Sequence, residues 1–172
     1  MISYNDRTSE DLFNQILKPV FKFSKSIKII DRLIAGHISK DPYELSGNYK
    51  NNLDYIAECI SKSNCKASVE IFTTIYLFKS VKAMNDQEKD NIIKTLDNID
   101  NFIDTINEKY GLDIKCVYGC GKGKLPHDRF LITDQIGLAI GRGFDLLDDE
   151  KKVRDNTISI IDNKGSIETQ IR

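Results

Sequence analysis

The chain has 172 residues, 25 basic and 26 acidic side chains, a formal net charge of −1, 40% hydrophobic and 30% charged residues. That length and balance fit one domain, 1–172, with a real core, and exclude a disordered or low-complexity chain. Near-neutral charge supplies no global field toward nucleic acid or membrane, so any anion site must be local.

No run approaches the ~20 apolar residues of a membrane span. The opening MISYNDRTSEDL is polar and lacks a signal-peptide core, so the expected address is cytoplasmic. The four cysteines, Cys59, Cys65, Cys116 and Cys120, would stay reduced there. Cys116-x3-Cys120 followed by His127 matches no common zinc spacing, and Cys59 and Cys65 form no C-x2-C pair. No metal or cofactor is expected, and the thiols read as buried or half-buried packing groups.

Taken in chain order, Thr8 reads as a helix cap with Asp11 in the first turn. Leu12, Phe13, Ile16 and Leu17 then form an apolar stripe, and Pro19 is expected to end or kink the helix. SIKIIDRLI (26–34) reads as a central strand. The loop after it contains His37, the other histidine of the chain. Tyr49, Leu53, Ile56 and Ile60 share one helical face within 48–62. KASVEIFTTIYLF (66–78) is strand-like, with β-branched and aromatic residues dominating.

Asn85 with Glu88 forms a capping-box pattern. It opens a helix whose stripe is Ile92, Leu96, Ile99, Ile103 and Ile106, and Gly111 ends it. The segments 112–119, 129–133, 137–141, 156–162 and 166–172 all read as strands, the last two joined by a hairpin turn at 162–165. The acid-rich FDLLDDEKK (144–152) reads as an exposed loop. The order predicts an α/β fold with a mixed sheet flanked by helices, parallel first and antiparallel late.

The chemistry concentrates in LPHDRFLITD. On a strand, residues two apart face the same side, which would point His127 and Arg129 into one cleft. Asp134, seven residues beyond His127, would join them only if the strand ended or turned near Thr133. An imidazole can attack phosphorus, a fixed cation can neutralise phosphoryl oxygens, and a carboxylate can orient the ring.

His127-x-Arg129-x4-Asp134, with Gly141 after six intervening residues, resembles the H-x-K-x4-D-x6-G-S-x-N signature of the phospholipase D superfamily. Arg129 replaces the lysine, Arg142 the serine and Phe144 the asparagine. HDRFLITDQIGLAIGRGFD is more similar to a divergent branch, which includes the C-terminal domain of some microtubule-interacting-and-transport proteins and stand-alone bacterial sequences. The resemblance implies a single phospholipase D-like domain with a degenerate histidine–lysine–aspartate motif. It also implies a module that binds membranes or partners without demonstrated hydrolysis.

Around that motif, Arg142 and Gly141 are candidate ligand-binding residues. So are Lys122 and Lys124 of the basic loop GCGKGK (119–124), which lacks the P-loop pattern. Asp31, at the end of the first predicted strand, lies where α/β folds place sites, or else pairs with Arg32. Asp134 or Asp145 would be available to neutralise the arginines.

Two functions compete. One is a non-catalytic domain whose basic cleft binds a phosphate-containing ligand or a partner protein, with nucleic acid possible. The other is a metal-independent phosphodiesterase or nuclease, using His127, Arg129 and Asp134. Superfamily members with one motif per chain build the site from two chains, so the second function implies a homodimer. The three departures favour the first.

Overall fold

Isoleucine-rich extended segments bury their side chains only if their backbone groups find partners, and here they partner one another. The computed structural model describes residues 2–3, 8–35, 45, 47–75, 77, 80–120, 125–141, 143–148, 150, 152–154, 157–162, 165, 167 and 169. Its strands are β1 (Ile2–Ser3), β2 (Ser26–Ile30), β3 (Ser68–Ile75), β4 (Ile114–Cys120), β5 (Arg129–Thr133), β6 (Gly137–Ile140) and β7 (Thr157–Ile161). They form one seven-stranded sheet in the order β1-β7-β6-β5-β2-β3-β4. β2, β3 and β4 run parallel. β5, β6, β7 and β1 add to β2 in antiparallel succession.

The helices are α1 (Ser9–Leu12), a π-helical turn (Phe13–Leu17), α2 (Lys18–Phe21), α3 (Gly47–Lys62) and α4 (Asp86–Tyr110). α3 and α4 are the crossovers that parallel pairing demands. Their apolar stripes meet one face of the sheet: Leu53, Ile56 and Ile60 of α3 and Ile99, Ile103 and Ile106 of α4 pack with Ile27, Ile29, Val69, Ile71 and Leu131. Full burial of one such side chain is worth about 1.5–3 kcal/mol. Alternation sends Ile30, Phe72, Phe130 and Ile132 to the other face, where Ile167 joins them. β2, paired on both sides and with Ile27 and Ile29 on one face and Ile30 on the other, is an interior strand next to the middle one, β5.

α4 follows its sequence signals closely. The Glu88 N–H donates to Asn85 Oδ1 at 2.9 Å, and the Asn85 N–H donates to Glu88 Oε2 at 2.9 Å. Gly111 closes the helix at φ +65°, a conformation that favours glycine. Thr8 caps α1 in the same reciprocal way with Asp11.

Four expectations change. Pro19 does not end its helix, because the chain stays helical to Phe21. The preceding π-turn, closed by the Lys18 N–H on the Phe13 carbonyl, widens the backbone where a proline ring would crowd the previous turn. The first predicted strand stops at Ile30, not at residue 34. The Asp31 Oδ1 accepts the Leu33 N–H at 2.9 Å, a local turn that competes with further pairing.

The segment 144–152 is not simply exposed: Phe144, Leu146 and Leu147 are buried in the main core. Asn52 holds it there, its Oδ1 accepting the Leu146 and Leu147 N–H groups at 2.8 and 2.7 Å. Finally, the described residues of the expected last strand, Ile167 and Thr169, are helical, as is Gly165 before them. The Thr169 hydroxyl donates to the Gly165 carbonyl at 2.9 Å, so β7 is the last strand among the described residues.

Candidate functional site

β3 and β4 end together at Ile75 and Cys120, β2 stops three residues short of them in register, and antiparallel β5 begins beside the end of β2. Asp31, Cys120 and Arg129 therefore stand at one end of the sheet, the carboxyl end of its parallel strands. Binding sites of open α/β sheets lie at that end.

Asp31 is the centre of this edge and is fully buried. Its Oδ1 faces the Leu33 N–H, and its Oδ2 accepts the Phe144 N–H at 3.1 Å. Arg129 Nε lies 3.9 Å from Oδ1, an ion pair beyond hydrogen-bond reach. Burial pushes the Asp31 carboxyl above its ordinary range. The Leu33 and Phe144 N–H groups and the Arg129 and Arg32 charges pull the other way.

Arg129 opens β5 with 20% of its side chain exposed. Its Nη1 donates a long bond, 3.4 Å, to the Gly141 carbonyl. Its Nε is buried with no hydrogen-bond partner among the described residues, and the same holds for Arg32 Nε. Gly143 makes the close approach possible. At φ +79°, a Cβ there would stand 2.5 Å from Asp31 Oδ2 and 3.0 Å from Arg129 Cγ.

Beside the arginine lies a groove of about 120 Å³, lined by Asp128, Arg129, Gly141, Thr157 and Ser159 among others. At ~30 Å³ per water that is room for about four waters, a size suited to one phosphate group.

The other expected site residues separate into three groups. His127 is solvent-exposed in the loop before β5. The strand alternation expected to align it with Arg129 does not reach it, because β5 begins at Arg129. Asp134 lies at the far end of β5, about 17 Å from Arg129 at ~3.4 Å per residue. There it accepts the Lys25 and Ser26 N–H groups at 2.8 and 3.4 Å, and these bonds, Lys25 first, hold its carboxyl below the usual range.

The chain does turn after Thr133, as the expectation required, but the turn leads into β6 and leaves Asp134 at the amino end of β2. Asp134 therefore does not meet His127 within this chain. Arg142, Lys122, Lys124 and His37 lie outside the described residues. The departure at the asparagine position is structural: the Phe144 side chain is fully buried in the main core.

Asp145 is not a counter-ion for Arg129. It pairs with Arg154 at 3.2 Å and accepts from the Asn48 amide. Of the thiols, Cys59 and Cys65 are buried and Cys116 half-buried. Burial pushes Cys59 and Cys116 up to about 12, so neither is poised as a nucleophile.

A larger cavity, about 440 Å³, opens between α1 and α3 and includes Glu10, Asp54, Glu58, Lys62 and Asp148 in its lining. Its sign disfavours an anion. Two of its acids are already paired: Asp54 with Lys109 at 2.8 Å, and Glu58 with Lys62 at 2.5 Å. No helix among the described residues is long and apolar enough to cross a membrane.

Sequence reading did not identify Gly143, Thr157 or Ser159 as part of this edge. Gly143 carried a signal, a glycine between the departures at 142 and 144. The two hydroxyls carried none, because only pairing of β7 with β6 brings them there.

No protein-family model matches the chain, and no curated protein matches it.

Proposed function

We propose that the carboxyl-edge groove binds a phosphate-containing ligand without hydrolysing it, as a degenerate phospholipase D-like site. One observation carries the reading: the Arg129 guanidinium, its Nε buried and without a hydrogen-bond acceptor among the described residues, stands at a groove of phosphate size. A buried donor without a partner costs about 1–3 kcal/mol. A ligand oxygen taking guanidinium hydrogens recovers part of that, with the strength of a charge-assisted bond.

Arg32 adds a second positive charge, and by sequence Arg142 follows Gly141 directly. Thr157 and Ser159 offer hydroxyl donors. Against hydrolysis stands the position of Asp134, too far along β5 to orient His127. Without an orienting partner the imidazole is a weak base and nucleophile. The alternative, a homodimeric phosphodiesterase, draws on the exposure of His127, which leaves the ring accessible to a second chain.

Binding of inorganic phosphate to the wild type and to Arg129→Ala, measured by calorimetry, tests the proposal. Loss of one charged contact worth about 1.5–3 kcal/mol should weaken affinity at least tenfold. Equal affinity in the two proteins would refute the site. Turnover of bis-p-nitrophenyl phosphate in EDTA that vanishes in His127→Ala would instead establish the phosphodiesterase.

A further inference from the structure

We propose that Asp31 makes anion binding at Arg129 proton-coupled: the buried carboxylate and the incoming anion compete for one guanidinium, so the anion binds best when Asp31 is protonated. The inference rests on the anion-site reading and specifies how that site is regulated.

The geometry forces the competition. Asp31 is fully buried, and its Oδ1 lies 3.9 Å from Arg129 Nε. The Gly143 backbone packs against both side chains, since a Cβ there would stand 2.5 Å from Asp31 Oδ2 and 3.0 Å from Arg129 Cγ. A carboxylate sealed this close to a site for negative charge repels any anion that enters. Among the described residues, the charges acting on the carboxylate are Arg32 on its own segment and Arg129 on β5, and the segment after β6 presents the Phe144 N–H, with Arg142 before it in sequence.

β3 contributes the Phe72 carbonyl, which accepts the Asp31 N–H at 3.0 Å. Asp128 and His127, just before Arg129, are both exposed to solvent, and Asp145 is occupied by Arg154. Burial raises the Asp31 carboxyl above its ordinary range and so favours the protonated acid. Because linkage is reciprocal, whatever the anion does to the affinity of Asp31 for its proton, the proton does to the anion.

Sulfate is the probe, because it carries no proton of its own in the range examined. In wild-type protein labelled with ¹³C and ¹⁵N, the Asp31 carboxyl carbon is titrated with pH, with and without saturating sulfate. The expected result is a midpoint raised by about one unit with sulfate, the scale of a like charge within ~4–6 Å. Sulfate affinity should strengthen up to about tenfold as pH falls through that midpoint. If sulfate moves the Arg129, Gly141 and Phe144 amides but leaves the Asp31 midpoint unchanged, the coupling is wrong and the anion site stands. If sulfate moves none of those amides, both are wrong.

Discussion

Asp31 Oδ2 accepts the Phe144 N–H at 3.1 Å across 113 residues of chain. That bond joins the end of β2 to the segment after β6, and it fixes the backbone over which Gly141, Gly143 and Arg129 converge. The edge is therefore held from within by a buried carboxylate, and its stability and its chemistry share one residue.

Removing that carboxylate leaves the Leu33 and Phe144 N–H groups without their acceptor. At about 1–3 kcal/mol for each unsatisfied group, partly offset by relief of a buried charge, Asp31→Ala should cost about 2–3 kcal/mol. Asp31→Asn keeps one acceptor and should cost roughly half as much. Urea denaturation followed by circular dichroism measures both.

Gly143→Ala should be costly for a different reason. A non-glycine residue at positive φ costs about 1–3 kcal/mol, and here the added Cβ also strikes Asp31 Oδ2. For a chain of this size ~2 kcal/mol lowers Tm by about 4–8 °C, readable by calorimetry. Near-unchanged melting would show that the 143–144 segment is free to move away from Asp31.

At the opposite end of β5, Asp134 predicts a pH dependence. The Lys25 and then the Ser26 N–H groups depress its folded-state pKa. A depressed carboxyl stabilises the fold above its unfolded value, ~3.9, and loses that contribution as pH falls through the folded value. Asp134→Asn should thus lower the urea midpoint at pH 7 and converge with wild type in strong acid. Asp31 has the opposite sign: its raised pKa weakens the fold as pH rises from the unfolded value through the folded one. Asp31→Asn should flatten that slope.

Phe144 occupies the asparagine position of the signature that the sequence resembles, and it can be tested directly. Truncation to alanine should cost about 3–5 kcal/mol. Phe144→Asn, which places there the residue of the phospholipase D signature that the sequence resembles, should destabilise comparably, because it buries an amide in the main core. It should not confer hydrolysis of bis-p-nitrophenyl phosphate. A stable Phe144→Asn protein that hydrolysed it would mean that Phe144 alone stands between this groove and catalysis.

The elements legible in the sequence were those with local signals. α4 needed only Asn85, Glu88, Gly111 and its stripe, all within one helix. The parallel-then-antiparallel order followed from helices alternating with strands early and strands crowding late. The illegible parts depend on distant partners. Burial of 144–147 required Asn52, 94 residues before Leu146. SIETQIR reads as a strand by its isoleucines, but Ile167 and Ile171 are four apart, a spacing that suits a helix face as well.

At the site, spacing brought out Arg129 and Gly141 and placed Asp31 at a strand end. It could not separate Asp134 from His127, because the intervening residues had to be seen as a strand that carries one to each end. Gly143 was visible as a glycine, but not as the gap that admits Asp31 beside Arg129.

The central claim is that the carboxyl edge holds phosphate at Arg129. Titration of ¹⁵N-labelled wild-type protein with inorganic phosphate tests it most directly. The account predicts saturable amide shifts confined to Arg129, Gly141, Gly143, Phe144 and the Thr157–Ser159 strand. Shifts absent there, or centred instead on the cavity between α1 and α3, would contradict it.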